Sequence, residues 1–329
     1  MRAIRGFLGR LAAGFILLLC CFMIGEFLVR IFLRSHQIYD IEMVRYSLEF
    51  KKDSPDPLIG RVHKPNVTAK LMGVQVRTNS DGLRDREFPV PRGPKARIIF
   101  LGDSLTLGWG VEEADIFKNL LEEKLERIRP TEIINFGTCN YNTEQEVHLF
   151  LQKGLKYKPD MVVVFYSIND VEITPQKTRL WFLGYSRLIA LYWSRFHILS
   201  ERSHPSKSYK AYYSGLYRKD QPGLLRAQEA FLLLRDVCRK NHIDLRVVLL
   251  PELHELRHYP FKEEYRLMTD FLNGHGIACL DLAPYFSGVK NPQELWVAFD
   301  DAHFNQKAHK MIADYAFDFI KEFDRKESR

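Results

Sequence analysis

Along the chain the hydrophobic pattern changes character twice. The first stretch is almost unbroken: LAAGFILLLCCFMIG, then Glu26, then FLVRIFL. Its uncharged centre is short for a membrane span. Counting Gly6 to Leu33, with Arg10 snorkelling, gives about 28 positions, enough for a tilted helix. Glu26 and Arg30 stand four apart and can pair on one face of that helix. Residues 35–55 then read as a charged, partly helical stalk. Residues 56–94 read as a turn-rich collar, in which LMGVQVRT alternates like a strand while glycines and prolines allow only short elements.

After Pro94 strand-like and helix-like runs alternate. RIIFLG, EIINFG, MVVVFYS, LRVVLLP and IACLDL read as five strands. MVVVFYS is apolar at nearly every position, as a strand covered on both faces should be. DIFKNLLEEKLERI, EQEVHLFLQKGLKY, LLRAQEAFLLLRDVCRK, KEEYRLMTDFLNGHG and AHKMIADYAFDFIKEF carry apolar residues at helical spacing, the last with Asn305 as N-cap. Helix-length connections between strands imply an α/β domain: a parallel sheet between two layers of helices. Such sheets bind ligands at the carboxyl ends of their strands.

The residues that follow the strands are therefore the place to look for chemistry. The first strand ends at Gly102-Asp103-Ser104, the second at Asn135-Phe136-Gly137, and the third at Ser167-Ile168-Asn169-Asp170. After the fifth comes Asp300-Asp301-Ala302-His303. Together these bring a serine, an imidazole, carboxylates and hydrogen-bond donors to one rim, the set that acyl transfer needs. A serine hydroxyl requires a neighbouring imidazole to lose its proton at neutral pH, and a strand-to-helix turn presents backbone N–H groups to a forming oxyanion. The turn differs from a G-x-S-x-G elbow, because Thr106 stands two residues after Ser104.

In this order, from about Arg97 to Phe323, the four motifs resemble those of the SGNH (GDSL) hydrolase superfamily. The resemblance implies a three-layer α/β/α fold with a flavodoxin-like sheet. It implies Ser104 as nucleophile, His303 as general base and Asp300 as the carboxylate that orients it. Asp301 is the alternative, and the family's spacing favours Asp300. The oxyanion hole implied is the N–H of Ser104, the N–H of Gly137 and the side-chain amide of Asn169. One departure stands out: the third motif opens with Ser167 where the family usually has glycine. Tyr166 and Ser167 at that position are expected to shape the substrate cleft.

Residues 174–222 form an insertion dense in Arg, Lys, Trp and Tyr. Three readings stand for it: a flap that binds a glycan or anionic polymer through Trp181 and Trp193, an interfacial helix on anionic lipid, or ordinary packing with solvated charges. The formal net charge is +7, of which about +4 lies in the first 34 residues and about +8 in residues 176–219. The remainder is mildly acidic and holds no recognisable nucleic-acid module, so nucleic acid is excluded as a partner. Arg2, Arg5 and Arg10 precede the apolar run, and no small-x-small cleavage site follows it. This predicts an uncleaved signal anchor in the cytoplasmic membrane with the bulk of the chain outside. Cys139, Cys238 and Cys279 show no metal-ligand spacing; Cys238 and Cys279 are expected to be free thiols, although an oxidising compartment would allow them to pair.

The domain reading is a cytoplasmic tip and span at 1–34, a stalk and collar at 35–94, and a hydrolase domain at 95–325. The function expected is a membrane-anchored serine esterase acting on an acyl ester, an O-acetyl group on an envelope or secreted glycan, with neither metal nor cofactor. An O-acyltransferase with the same triad and a non-catalytic glycan-binding protein are the alternatives.

Overall fold

The computed structural model describes residues 2–173, 181–202 and 209–323. The chain divides into two units, one of Met1–Leu48 with Thr178–Pro205, the other of Glu49–Lys177 with Ser206–Arg329. The 48/49 division falls within the expected 35–55 stalk, the expected 56–94 collar lies in the second unit, and the insertion is shared between the units.

In the first unit α1 (Arg2–Ser35) is followed by the start of α2 (Tyr39–Phe50). Gly6–Leu33 within α1 is long and apolar enough to cross a membrane. The second unit opens with two antiparallel ribbons, β1 (Lys51–Asp53) with β2 (Arg61–His63) and β3 (Thr68–Leu71) with β4 (Val74–Arg77). Its centre is a sheet of β5 (Ala96–Gly102), β6 (Thr131–Asn135), β7 (Met161–Tyr166), β8 (Asp244–Leu249) and β9 (Ala278–Asp281). The order is β6-β5-β7-β8-β9 and every pairing is parallel. These are the five strands read from the sequence. A last ribbon joins β10 (Trp296–Ala298) to β11 (Asp301–Phe304).

β5 and β7 are buried at every position because parallel sheets are covered on both faces. Successive side chains point to opposite faces, so each strand feeds two cores. Ile99, Leu101, Val162 and Val164 pack with Val147, Phe231, Leu234 and Met268. Ile98, Phe100, Val163 and Phe165 pack with Phe117, Leu121, Ile312 and Ala316. The helices are α3 (Ser104–Leu107), α4 (Phe117–Glu126), α5 (Thr143–Leu149), α6 (Arg187–Arg202), α7 (Tyr209–Leu216), α8 (Pro222–Asn241), α9 (Lys262–Gly274), α10 (Ala283–Phe286) and α11 (Gln306–Lys321). Of these α6 belongs to the first unit. Asn305 caps α11, its side chain accepting from the N–H groups of Lys307 and Ala308. Cys238 and Cys279 are free thiols.

Candidate active site

Each site residue stands where a strand ends. β5 runs out at Gly102, and α3 starts two residues later with Ser104 at its first position. Asp103 caps the helix, its Oδ1 accepting from the N–H of Leu105 at 2.8 Å. The turn is tight: a Cβ on Gly102 would stand 2.0 Å from Thr106 Oγ1. The N–H of Ser104 has no acceptor among the described residues. Behind the turn, buried Arg84 from the collar donates to the carbonyls of Leu107 (3.2 Å), Gly108 (2.6 Å) and Val111 (2.7 Å). Leu107 and Gly108 end α3 and Val111 lies in the loop beyond, so the one guanidinium ties the helix end to the chain that follows it. The collar therefore supports the Ser104 turn, which its short, turn-rich sequence does not show.

β11 supplies the opposing group. His303 Nε2 lies 2.8 Å from Ser104 Oγ, and His303 Nδ1 lies 2.5 Å from Asp301 Oδ1. The same Oδ1 accepts the N–H of His303 at 3.0 Å, and the indole N–H of Trp109 donates to Oδ2 at 3.1 Å. Burial alone would raise the carboxyl of Asp301; the hydrogen bonds from His303 and Trp109 and the nearby imidazole outweigh it and hold the group below its usual range. The carboxylate against the His303 ring is thus that of Asp301, and the expectation that Asp300 would hold this place is corrected. Asp300 sits exposed in the turn before β11. Within a strand, positions two apart share a face, which pairs Asp301 with His303. Trp109 went unremarked in the sequence, although it lies between Gly108 and Gly110 directly after the serine turn.

β7 brings the third group. Asn169 Nδ2 donates to Asp103 Oδ2 at 3.1 Å, which places the amide beside the nucleophile's turn. Ser167 Oγ lies 2.7 Å from Asn169 Oδ1, 2.9 Å from Asp170 Oδ1 and 3.2 Å from Asp103 Oδ2. A hydroxyl has one proton to give. Asp103 accepts at both oxygens, so Asn169 must turn its nitrogen toward Asp103 and its oxygen toward the Ser167 hydroxyl. Asp170 Oδ1 shares that hydroxyl as a further acceptor. Burial, with Asp103 adding repulsion, pushes that carboxyl well above its ordinary value. Glu146 on α5 is in the same state: it is buried, neither oxygen has a partner, and burial plus the charges of Asp170 and Asp103 raise it strongly.

Three further expectations are corrected. Gly137 does not offer a free donor, because its N–H is bound to Asn135 Oδ1 at 2.8 Å. Its missing side chain serves packing instead, since a Cβ there would stand 2.2 Å from the backbone nitrogen of Leu107. Tyr166 is fully buried with its hydroxyl 2.6 Å from that of Tyr217, so it lines no cleft. Ser167 is buried as well and orders its neighbours rather than meeting substrate. Trp193 lies on α6 in the first unit. The side chain of Trp181 falls outside the described residues. A concavity of about 680 Å³ lined by Asp160, Arg239, Asp244 and Arg246 opens at the amino ends of β7 and β8, and none of the site residues lines it. Among the described residues no cluster of His, Cys, Asp and Glu is arranged to hold a metal ion.

An imidazole between a serine hydroxyl and a buried carboxylate is the arrangement that draws the serine proton during acyl transfer. Residues 100–311 match the family model described as the GDSL-like Lipase/Acylhydrolase family. A comparison with curated proteins finds no match. Among solved structures, a catalytic mutant of an acetylxylan esterase from Geobacillus stearothermophilus is similar at 15% identity and TM-score 0.45, over 72% of this chain and 99% of that one. The lipase/acylhydrolase from Enterococcus faecalis is similar at 16% identity and TM-score 0.44, over 69% of this chain and 95% of that one. A member of the lipolytic protein G-D-S-L family from Veillonella parvula DSM 2008 is similar at 12% identity and TM-score 0.43, over 69% and 100%.

Proposed function

The chain belongs to the GDSL-like lipase/acylhydrolase family, and from that premise we propose that it is a membrane-anchored serine esterase that removes an acyl group, O-acetyl in the first place, from a cell-envelope or secreted glycan. The observation that carries the chemistry is the line from Ser104 Oγ through the His303 ring to Asp301, with contacts of 2.8 and 2.5 Å. Ser104 Oγ attacks the ester carbonyl while its proton passes to His303 Nε2. The carbonyl oxygen gains its negative charge facing the N–H of Ser104 and the second hydrogen on Asn169 Nδ2. His303 then gives its proton to the departing sugar hydroxyl, which breaks the ester C–O bond and leaves an acyl-serine. Water enters, loses a proton to the same nitrogen and attacks the acyl carbon; the proton returns to Ser104 Oγ as the carboxylic acid leaves. Asp301 keeps the ring in the tautomer with hydrogen on Nδ1 and stabilises the imidazolium.

The anchoring part of the proposal rests on Gly6–Leu33 and on the arginines before it, which keep the amino end cytoplasmic and place the catalytic unit outside. Retention of the segment is supported by Glu26, which is bound into the folded first unit through Ser186, Arg187 and Leu188. Removal of α1 would leave the start of α6 without its acceptor.

The test is hydrolysis of an acetylated oligosaccharide by the full chain and by Ser104→Ala. The variant is expected to lose at least about a thousandfold in kcat, with a circular dichroism spectrum like that of the wild type. Full hydrolysis by the variant overturns the assignment. Recovery of the mature protein without residues 1–33 overturns the anchor alone.

A further inference from the structure

The insertion helix α6 has two faces of opposite character. Ser186, Ala190 and Ser194, spaced by four, face inward and are buried. Ala190 packs with Ile38, Ile41 and Leu183, and Ser194 Oγ donates to Asp40 Oδ2 at 2.8 Å. On the other side Ile189, Tyr192, Trp193 and Phe196 are 39%, 70%, 41% and 69% exposed, with Tyr185 just before the helix at 76%. Positions i, i+3, i+4 and i+7 form one stripe, so the exposed residues make a continuous apolar and aromatic face. Arg195, exposed as well, borders this stripe.

The start of α6 is fastened to α1. The carboxylate of Glu26 accepts from Ser186 Oγ at 2.7 Å and from the N–H groups of Arg187 and Leu188 at 3.0 and 2.9 Å, and Arg30 Nε closes the cluster at 2.6 Å. Beside it Gly25 lets Leu188 approach; a Cβ at that position would stand 3.1 Å from Leu188 Cδ2. The level of this joint follows from length. A 28-residue helix standing upright is about 42 Å long and a bilayer's hydrocarbon core is about 30 Å thick. The surplus of about 12 Å corresponds to about eight residues; placed at the end that carries the ionisable pair Glu26 and Arg30, it is the stretch from Glu26 to Leu33. A carboxylate at that depth avoids the hydrocarbon interior, where it is costly. The joint, and α6 with it, then stands at headgroup level.

We propose that α6 is an interfacial helix of the extracytoplasmic leaflet, with Ile189, Tyr192, Trp193 and Phe196 inserted at the boundary between headgroups and acyl chains. The occupant of the exposed face is lipid, because the start of α6 is bound at Glu26, beside the exposed apolar residues Phe27, Leu28 and Ile31 of α1, and its own exposed residues are of the same kind. Aromatic side chains favour this layer, and arginines at its edge reach the phosphates. The inference rests on the reading of α1 as a retained span.

The test uses the full chain in phosphatidylcholine nanodiscs, with and without lipids brominated close to the headgroup, which quench nearby tryptophan. The wild type is expected to show a quenched fraction that Trp193→Phe lacks, and Tyr192→Glu/Phe196→Glu to lose the same fraction. Equal quenching of wild type and Trp193→Phe in protein that has entered the discs overturns the interfacial helix while leaving the span intact. Discs holding two copies in which Trp193 is shielded from bromolipid put a second copy on this face and also overturn it. Failure of the full chain to enter discs removes the span, and the inference falls with it.

Discussion

His303 Nδ1 lies 2.5 Å from Oδ1 of Asp301. Asp301→Asn keeps the shape and removes the charge that balances the imidazolium, so kcat is expected to fall about a hundred- to ten-thousandfold. Asp300→Asn, in an exposed turn, is expected to stay within about twofold of wild type. Steady-state rates on one acetyl ester decide between them, and the reverse ranking would return the role to Asp300. Aspartate-x-histidine is readable as such a pair once Asp301–Phe304 is known to be a strand; the three-residue spacing carried over from the family hid it. Beneath the site Glu146 makes a second prediction. Burial raises its carboxyl well above the ordinary value, with Asp170 and Asp103 adding to the effect. A carboxyl raised in this way contributes its stability in full below its unfolded pKa, about 4, and loses it as the pH climbs from there toward the folded value. Glu146→Gln does not titrate. Between about pH 5 and pH 8 the wild type should therefore lose stability with pH more steeply than the variant in thermal unfolding. Parallel curves would show that the carboxyl ionises normally.

At the scale of elements, the nucleophile's position is set by three segments that meet at α3. β5 delivers it, Arg84 holds its far end, and the loop after β6 packs against its back. Asn135 Nδ2 donates to the carbonyl of Thr106 at 3.0 Å while its Oδ1 accepts from Gly137, so a single side chain ties that loop to the helix. Gly137→Ala drives a methyl group into backbone rather than into a movable side chain. We expect a loss of about 2–4 kcal/mol in urea unfolding, with kcat falling because Ser104 shifts. A variant as stable and active as wild type would mean that the loop yields. The central strands β5 and β7 were legible because burial on both faces leaves nearly unbroken apolar runs. The β10–β11 ribbon was not: its strands are only three and four residues long, too brief for alternation to stand out. Arg84 was illegible for another reason, since its acceptors lie more than twenty residues away and no local pattern announces them.

For the molecule as a whole, the two units keep separate cores. Ile38, Ile41, Leu183 and Ala190 make a small cluster in the first unit, while the two faces of the sheet carry the large ones in the second. Sequence patterning shows the apolar run and the α/β alternation, yet it counts residues 174–222 as an insertion within the hydrolase domain and leaves three readings open for it. That 178–205 group with the N-terminal helices depends on Glu26 meeting Ser186, Arg187 and Leu188 across about 160 residues of chain, and spacing in sequence carries no trace of such a contact. Glu26→Ala tests what this separation means for function. It leaves the hydroxyl of Ser186 and two N–H groups at the start of α6 without their acceptor, a cost of about 1–3 kcal/mol. Because the loss falls on the small core, exchange of the α6 amides should speed up by about tenfold or more. Hydrolysis of a small water-soluble ester should stay at the wild-type rate, since Ser104, His303 and Asp301 draw their support from the second unit alone. Hydrogen exchange read by mass spectrometry, beside a rate measured on the same preparation, checks both halves. Loss of activity in step with the loosening of α6 would show that the two cores are energetically coupled.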